Sequence, residues 1–147
     1  MRYTILIIAS LFSLYSCSQD IPASKVPSVV LNTVQARFGS VDKIEWEKKA
    51  KVYEAEFKMD SVEYSVYVDA AGKLILYKME IRVNELPQAV SASILNKYGG
   101  YKIDEVEKIE KDGVAYYEVE LDGNGKKDLE LIFSADGELV TGMDYLG

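Results

Sequence analysis

The sequence contains no histidine and only one cysteine, Cys17. Histidine is the commonest general base in enzymes and the commonest transition-metal ligand, so its absence argues against most catalytic and metal-binding designs. A single cysteine near the amino terminus also leaves the folded part without disulfides or thiolate metal sites. We therefore expect a fold held together by packing, with no enzymatic activity, no cofactor and no metal.

The amino terminus lacks an apolar run long enough to span a bilayer as a helix, which needs about 20 residues. Met1 and Arg2 precede an uncharged, mostly apolar stretch that ends at Ser16 and Cys17. This pattern is typical of a targeting segment, and Leu14 to Cys17 resembles a bacterial lipobox. It predicts a signal peptide over 1–16, acylation of Cys17 and a polar tether over 17–24. Because Tyr15 replaces the usual small residue of a lipobox, ordinary secretory cleavage is the alternative.

Basic residues are in the minority: the chain has 17 lysines and arginines against 24 aspartates and glutamates. Removal of the signal peptide takes away only Arg2, which changes the net charge from −7 to −8. Such a surface repels nucleic acid and anionic headgroups. We therefore expect no nucleic-acid partner and a membrane attachment made through the lipid at Cys17 alone. Because Ser18 follows the cysteine, we expect the outer membrane, with the protein facing the periplasm or the cell surface.

The chain repeats itself. Four residues that form one helical stripe recur sixty positions later: Pro27, Val30, Val34 and Phe38 match Pro87, Val90, Ile94 and Tyr98. Two helices are predicted, one from Ser24 or Pro27 to Gly39 and one from Pro87 to Gly99. Alternating segments that also recur predict four strands after each helix, at Lys43–Lys49, Lys51–Lys58, Val62–Asp69, Leu74–Val83, Ile103–Lys111, Val114–Leu121, Leu129–Ser134 and Glu138–Tyr145.

The predicted fold class is α+β, with two tandem helix-plus-four-strand repeats that form an antiparallel sheet with the helices on one face. Repeat one covers about 25–83 and repeat two about 85–147. Glycine-containing turns such as Asp112-Gly113 favour hairpins and hence a meander. Alternation assigns the apolar side chains of each strand to the helix side and leaves an open, acidic face with a few aromatics. The residues predicted on that face are Glu54, Glu56, Tyr67, Tyr116, Glu118 and Glu120.

The whole pattern resembles the PepSY-like, beta-lactamase-inhibitor-like domains of secreted bacterial proteins and lipoproteins. The similarity lies in the proline-led helices that end in an aromatic residue, the strand of Trp46, and the turns Asp69 to Gly72 and Ser134 to Gly137. It covers 25–147 and implies two tandem units whose free sheet face can dock a partner. In the inhibitory proteins that lend the family its name, such a face grips an enzyme, although this chain lacks their paired cysteines.

Three residue patterns have competing interpretations. Alternate glutamates such as Glu54 with Glu56 are spaced like the carboxylates of inverting glycosidases, but a solvated strand face has the same appearance, and we favour solvation. Asp122, Asn124 and Asp128 suggest a calcium loop, but Lys126 stands where a ligand belongs, so a hairpin turn is favoured. Trp46 is predicted in the core rather than as a binding anchor.

The function predicted from the sequence is a non-catalytic envelope lipoprotein that binds an unidentified envelope protein or peptide on its acidic sheet face. Two alternatives are kept. The first is an inhibitor of a secreted hydrolase or protease, for which the Lys111 to Val114 hairpin is the candidate loop. The second is a module that binds a small ligand or cations on the acidic face. A carboxylate hydrolase is disfavoured because the chain has no histidine.

Overall fold

The computed structural model describes residues 18–143 and Tyr145. The predicted signal peptide (1–16) and Cys17 lie outside the described residues. Two helices, α1 (Ser28–Phe38) and α2 (Gln88–Tyr98), accompany a single antiparallel sheet. Its strands, in chain order, are β1 (Ser18–Asp20), β2 (Glu45–Lys49), β3 (Val52–Met59), β4 (Val62–Asp69), β5 (Leu74–Glu80), β6 (Lys102–Lys111), β7 (Val114–Asp122), β8 (Leu129–Ser134) and β9 (Leu139–Val140).

The nine strands neighbour one another in chain order, so the connection is the predicted meander. Repeat one supplies α1 and β2–β5, and repeat two supplies α2 and β6–β9. The strands β5 and β6 pair with each other, with Tyr77 opposite Glu110, and join the repeats into one sheet. The predicted α+β class with two helix-plus-four-strand repeats is confirmed. The shared sheet increases the surface buried on folding, because either repeat alone would bury too little for a stable domain.

Both helices cover the same face of the sheet. Val30 and Val34 of α1 pack on repeat one, where Trp46 is 4% exposed and belongs to the core, as predicted. Val90 and Ile94 of α2 pack in the same way on repeat two. A third buried cluster lies on the opposite face and is centred on Val52, Tyr67, Leu76 and Ile109. Both faces of the sheet therefore carry buried apolar clusters, whereas strand alternation predicted one open face.

Each helix is held against a glycine turn of its own repeat. The hydroxyl of Thr33 donates to the carbonyl of Gly72 at 2.6 Å, and the hydroxyl of Ser93 donates to the carbonyl of Gly137 at 2.7 Å. Both glycines have positive φ angles, +86° and +80°. A side chain at either position would meet the backbone of the helix, so glycine is required for the close approach as well as for the turn.

Several predicted boundaries were wrong. The segment predicted as a tether contains β1, which pairs with β2 and places Ser18 opposite Lys49. Ile21 then packs against the first helix cluster. The predicted strand Leu74–Val83 stops at Glu80, and the predicted strand Glu138–Tyr145 is limited to Leu139–Val140. These errors arise where chain pairing, rather than local pattern, decides the strand length. The three clusters and the sheet lie within the described residues, so a protein that begins at Ser18 keeps these three clusters and the nine strands.

Candidate functional site

Glutamates line the face of the sheet opposite the helices. The register between neighbouring strands shows that this face carries at least one glutamate in every strand from β2 to β8. We call it the glutamate face. Its glutamates are Glu45, Glu47, Glu54, Glu56, Glu63, Glu80, Glu105, Glu107, Glu118, Glu120 and Glu130.

Many of these glutamates lie directly opposite one another on adjacent strands. Like charges in directly opposed positions destabilise a sheet, because their Cβ atoms are only about 5 Å apart. The same arrangement occurs in both repeats, so each repeat contains opposed carboxylates that destabilise the sheet. The opposed pairs are Glu45 with Glu56 and Glu47 with Glu54 in repeat one, Glu80 with Glu107 where the repeats join, and Glu105 with Glu120, Glu107 with Glu118 and Glu120 with Glu130 in repeat two.

In repeat one, Lys49 neutralises one pair of opposed glutamates, Glu47 and Glu54, which we call the inner pair. Its ammonium contacts Glu54 Oε2 and lies 3.5 Å from Glu47 Oε2. Tyr67 forms a hydrogen bond with Glu54, and the Lys49 ammonium lies 5.8 Å from the centre of the Tyr67 ring. Burial raises the pKa of the Tyr67 hydroxyl, and the hydrogen bond to Glu54 raises it further. The phenol therefore stays protonated and acts as a hydrogen-bond donor.

For the opposed glutamates of repeat two, Lys78 of β5, the last strand of repeat one, plays the same part. Its ammonium donates to Glu107 Oε2 at 3.0 Å and to Glu118 Oε1 at 2.8 Å. The hydroxyl of Tyr145 donates to Glu118 Oε2 at 2.5 Å, and Lys78 Nζ lies 5.1 Å from the centre of the Tyr145 ring. Burial opposes the charge of Lys78, but the bonds to Glu118 and Glu107 outweigh it and raise the lysine pKa.

The two halves meet in the middle of the sheet, where the rings of Tyr67 and Tyr145 are 5.8 Å apart. We call the combined set the inner network. Each half contains a pair of opposed glutamates, one lysine and one tyrosine, and the apolar residues Val52, Leu76 and Ile109 pack beside the two rings. The members of the inner network are Glu47, Lys49, Glu54, Tyr67, Lys78, Glu107, Glu118 and Tyr145.

The prediction of an open, solvated face was wrong at its centre. Glu54 is 2% exposed, Glu118 is 5% exposed and Tyr67 is 7% exposed. They are covered because the third cluster, which includes Met143 and Tyr145, packs on this side of the sheet. Lys49, Lys78 and Tyr145 were not identified as site residues from the sequence. Alternation could have placed Lys78 on this face, but only the pairing of β5 with β6 brings it to Glu107 and Glu118.

The remaining predicted residues lie further out. Glu56 and Glu120 are exposed, as predicted, and Tyr116 is half-buried at the side of the third cluster. Partial burial and neighbouring carboxylates raise the pKa values of Glu56, Glu105 and Glu130. Each of these three carboxylates is therefore repelled by neighbouring glutamates of the same face. We call Glu45, Glu56, Glu105, Glu120 and Glu130 the outer glutamates.

The geometry does not resemble a pair of catalytic carboxylates. Glu54 and Glu118 are buried against lysines and tyrosines, whereas inverting glycosidases leave room for a water between their two carboxyl groups. Within 18–143 and Tyr145, no group of three or more acidic, histidine or cysteine residues is arranged to hold a metal ion. The Lys111 to Val114 hairpin closes through a two-residue turn at Asp112 and Gly113, both with positive φ, so it is short.

The loop of Asp122 is built as a turn. Asp122 Oδ1 accepts a hydrogen bond from the backbone of Asn124 at 2.7 Å, and Asp128 Oδ1 accepts one from the backbone of Gly123 at 2.9 Å. Since both carboxylates serve the loop itself, we expect no heat on titration with calcium at millimolar concentration, where weak extracellular sites bind. Saturable heat that disappears in an Asp122→Asn variant would contradict this prediction.

Comparison with solved structures shows the same fold in proteins of Bacteroides species. A "DUF2874 family protein" from Bacteroides uniformis is 19% identical, with a TM-score of 0.71 over 78% of this chain and 86% of that one. A "putative periplasmic" protein from Bacteroides eggerthii is 15% identical, with a TM-score of 0.72 and the same coverage. A "BLIP-like protein" from Bacteroides fragilis is 24% identical, with a TM-score of 0.66 over 78% of this chain and 82% of that one.

No curated protein matches the chain. A family model does match it, twice in succession, over residues 15–76 and 77–141. The boundary between the two matches falls in β5, just before α2 opens the second repeat. The two matches together span most of the chain, and each contains one helix and the strands that it covers. The chain therefore belongs to the "Putative beta-lactamase-inhibitor-like, PepSY-like" family and carries two tandem copies of that family's domain.

Proposed function

We propose that the protein is a non-catalytic cell-envelope lipoprotein that binds a basic protein or peptide on the glutamate face. The observation that carries this proposal is the opposition of glutamates in both repeats. Lysines of the chain pair with the inner glutamates, whereas Glu56, Glu105 and Glu130 have pKa values raised by burial and by neighbouring carboxylates. Cationic side chains from a partner would relieve that repulsion, so part of the binding energy is already stored in the free protein.

The proposed location follows from the amino terminus and from one structural relative. The signal-like segment and Cys17 support secretion and a lipid anchor, and Ser18 supports the outer membrane. One protein of the same fold is described as periplasmic. Within the described residues, neither helix is long and apolar enough to cross a membrane. On this proposal β1 begins immediately after the anchor, so the sheet lies close to the lipid surface.

An inhibitor of a secreted hydrolase is a special case of the same proposal. It is favoured by the fold shared with the BLIP-like protein, although that likeness is of the fold alone. An inhibitor on this model would use the glutamate face rather than the short hairpin at Asp112 and Gly113. A module that binds only small ligands or cations is the remaining alternative, and it predicts binding without any protein partner.

The test compares capture of envelope proteins by two forms of the domain that begins at Ser18. One is the native sequence and the other carries Glu56→Lys and Glu120→Lys, two exposed positions on the glutamate face. We expect a captured partner to be lost by the variant, with a reduction of at least about tenfold in affinity, because two attractive charges become repulsive. Glu54 and Glu118 are left intact, since reversal of a buried charge would unfold the protein.

The control is a variant with Asp42→Lys and Asp136→Lys, which changes the net charge by the same amount at exposed positions away from the glutamate face. It should keep the partner. Loss of the partner in both variants would mean that only the overall charge matters. Retention in both variants would show that the glutamate face is not the binding surface, and binding that is abolished by moderate salt in the native form would confirm an electrostatic interface.

A further inference from the structure

The two repeats also differ in the residue that lies opposite the buried glutamate of the inner network. In repeat one, the buried Glu54 lies directly opposite Tyr67, which supplies its phenol donor. In repeat two, the equivalent Glu118 lies directly opposite Ile132, whose side chain cannot donate a hydrogen bond. Repeat two therefore has a buried carboxylate without a tyrosine on the neighbouring strand.

Tyr145 supplies the missing donor from outside the sheet. It lies beyond the last strand, β9, yet its hydroxyl reaches Glu118 on β7 and its ring lies 5.8 Å from Tyr67 on β4. The preceding residues Thr141 to Met143 belong to no helix or strand. Tyr145 is held by its side chain, through the hydrogen bond, the two ring contacts and the packing in the third cluster.

The surroundings of Tyr145 form a site for a phenol. The Glu118 carboxylate accepts from the hydroxyl, the Lys78 ammonium lies 5.1 Å from the ring centre, and Tyr67 packs beside the ring. Leu76, Ile109 and Ile132 complete an apolar wall. All of these groups except Tyr145 itself sit on strands of the sheet, so the site is rigid. A phenol that belongs to another protein could make the same contacts. We call this site the Tyr145 seat.

We infer that the Tyr145 seat is the anchor point of the glutamate face, and that the partner inserts a tyrosine flanked by lysine or arginine residues in place of Tyr145. This inference rests on the proposed function, because the flanking cations are taken to pair with the outer glutamates. The occupant is identified by two observations: the seat holds a phenol in the free protein, and the carboxylates around it favour cationic neighbours. Tyr145 then acts as an internal competitor.

The first test asks whether the seat accepts a phenol that is not attached to the chain. A Tyr145→Ala variant is heated with and without p-cresol, the side-chain analogue of tyrosine, and with 4-methylanisole, which lacks the donor hydrogen. We expect p-cresol at saturation to raise the Tm by about 3 °C and 4-methylanisole to raise it by clearly less. An equal effect of the two compounds, or no effect of either, would overturn the inference.

The control for the first test is Tyr101→Ala. Tyr101 also has a lysine over its ring, with Lys126 Nζ 5.6 Å from the ring centre, but it packs with the second helix cluster on the other side of the sheet. Rescue by p-cresol that favours Tyr145→Ala over Tyr101→Ala shows that the compound acts at the Tyr145 seat, and equal rescue of the two variants would overturn the inference. If Tyr145→Ala does not fold, it is refolded in the presence of either compound, and recovery of the folded form with p-cresol but not with 4-methylanisole gives the same comparison.

The second test uses the peptides Lys-Gly-Tyr-Gly-Lys and Lys-Gly-Phe-Gly-Lys, followed by NMR of the isotopically labelled domain. We expect the tyrosine peptide to shift signals around Glu118 and to bind Tyr145→Ala about tenfold more tightly than the native protein, because one competing hydrogen bond and its packing are gone. Equal affinity for the native protein and the variant, or equal affinity for the two peptides, would refute the seat.

The outcomes separate this inference from the proposed function. If both peptides bind equally and the binding is lost in the Glu56→Lys, Glu120→Lys variant, the acidic face binds cations but the seat does not act as an anchor. If neither peptide binds any form while p-cresol still rescues Tyr145→Ala, the seat accepts phenols but the proposal of a basic partner fails. If p-cresol gives no rescue, neither peptide binds and the native domain captures no partner, both the inference and the proposed function are rejected.

Discussion

Replacement of Lys78 by methionine is expected to lower the free energy of unfolding by about 4 kcal/mol near neutral pH. Lys78 is 12% exposed and its ammonium donates to both Glu107 and Glu118, so its removal leaves two carboxylates together without their cation. Methionine keeps most of the volume and the apolar contacts of the lysine stem. The measurement is urea unfolding followed by the fluorescence of Trp46, which is the single tryptophan and is buried.

The deficit of this variant should shrink as the pH falls to about 5. Burial already raises the pKa of Glu107 while Lys78 is beside it, and loss of the ammonium raises that pKa further. A carboxyl whose pKa is higher in the folded than in the unfolded state stabilises the fold below its unfolded pKa, and this contribution is lost as the pH rises through the folded pKa. Protonation of Glu107 therefore restores part of the stability that neutral pH removes.

Lys58→Met is the matched control for Lys78→Met. Lys58 also forms an ion pair on the glutamate face, with Glu63 at 2.7 Å, but both side chains are more than half exposed. Solvent screens such a pair, so the control should unfold like the native protein at every pH. A deficit of similar size in both variants, or one in Lys78→Met that does not respond to pH, would show that the inner network is not held by the buried charge pairing.

The second large effect is expected from Gly137→Ala, with a loss of about 3 kcal/mol in the free energy of unfolding. The added Cβ would lie 2.7 Å from the carbonyl carbon of Ala89 and 2.9 Å from Ser93 Oγ, and φ is +80°. The backbone of α2 would have to move away from the sheet, and the hydrogen bond from Ser93 to the Gly137 carbonyl would be lost. The measurement is again urea unfolding by Trp46 fluorescence.

Gly113→Ala separates the effect of backbone strain from that of a steric clash with the helix. Gly113 has nearly the same φ, +78°, but nothing lies within 4 Å of the position of its Cβ. Its substitution should cost only the strain of the left-handed backbone, about 1 kcal/mol. Gly72→Ala should fall between the two, because its Cβ would lie 3.1 Å from the carbonyl oxygen of Val29. Equal losses at Gly113 and Gly137 would mean that the contact with α2 does not limit the fold.

The architecture could be predicted because it depends on short-range signals that occur twice. Proline before each helix, an apolar stripe at helical spacing, and glycine after strands are local features, and their recurrence identified the repeats. The burial of Trp46 followed from strand alternation in the same way. The strand β1 escaped prediction because Ser18–Asp20 has no apolar pattern of its own and is defined only by its pairing with β2.

The candidate site was predicted in part. Alternation correctly placed Glu54, Glu56, Glu118 and Glu120 on one face of the sheet, since side-chain direction along a strand has a period of two. It also led to the wrong conclusion that Glu54 and Glu118 are solvated. Whether a side chain on this face is solvated depends on what packs over it. Over Glu118 that residue is Tyr145, which is distant in sequence and was predicted to lie in a strand.

Resemblance to known domains indicated the family. The sequence by itself determined the α+β class, the two repeats, the acidic character and the face on which each strand residue lies. Each of these depends on residue type and on periodicity within a short segment. Only the tertiary structure decided which glutamates are opposed, which lysine neutralises them and which tyrosine covers Glu118. These facts depend on strand register and on the path of the chain beyond β9, and both are set by contacts between residues that are distant in sequence.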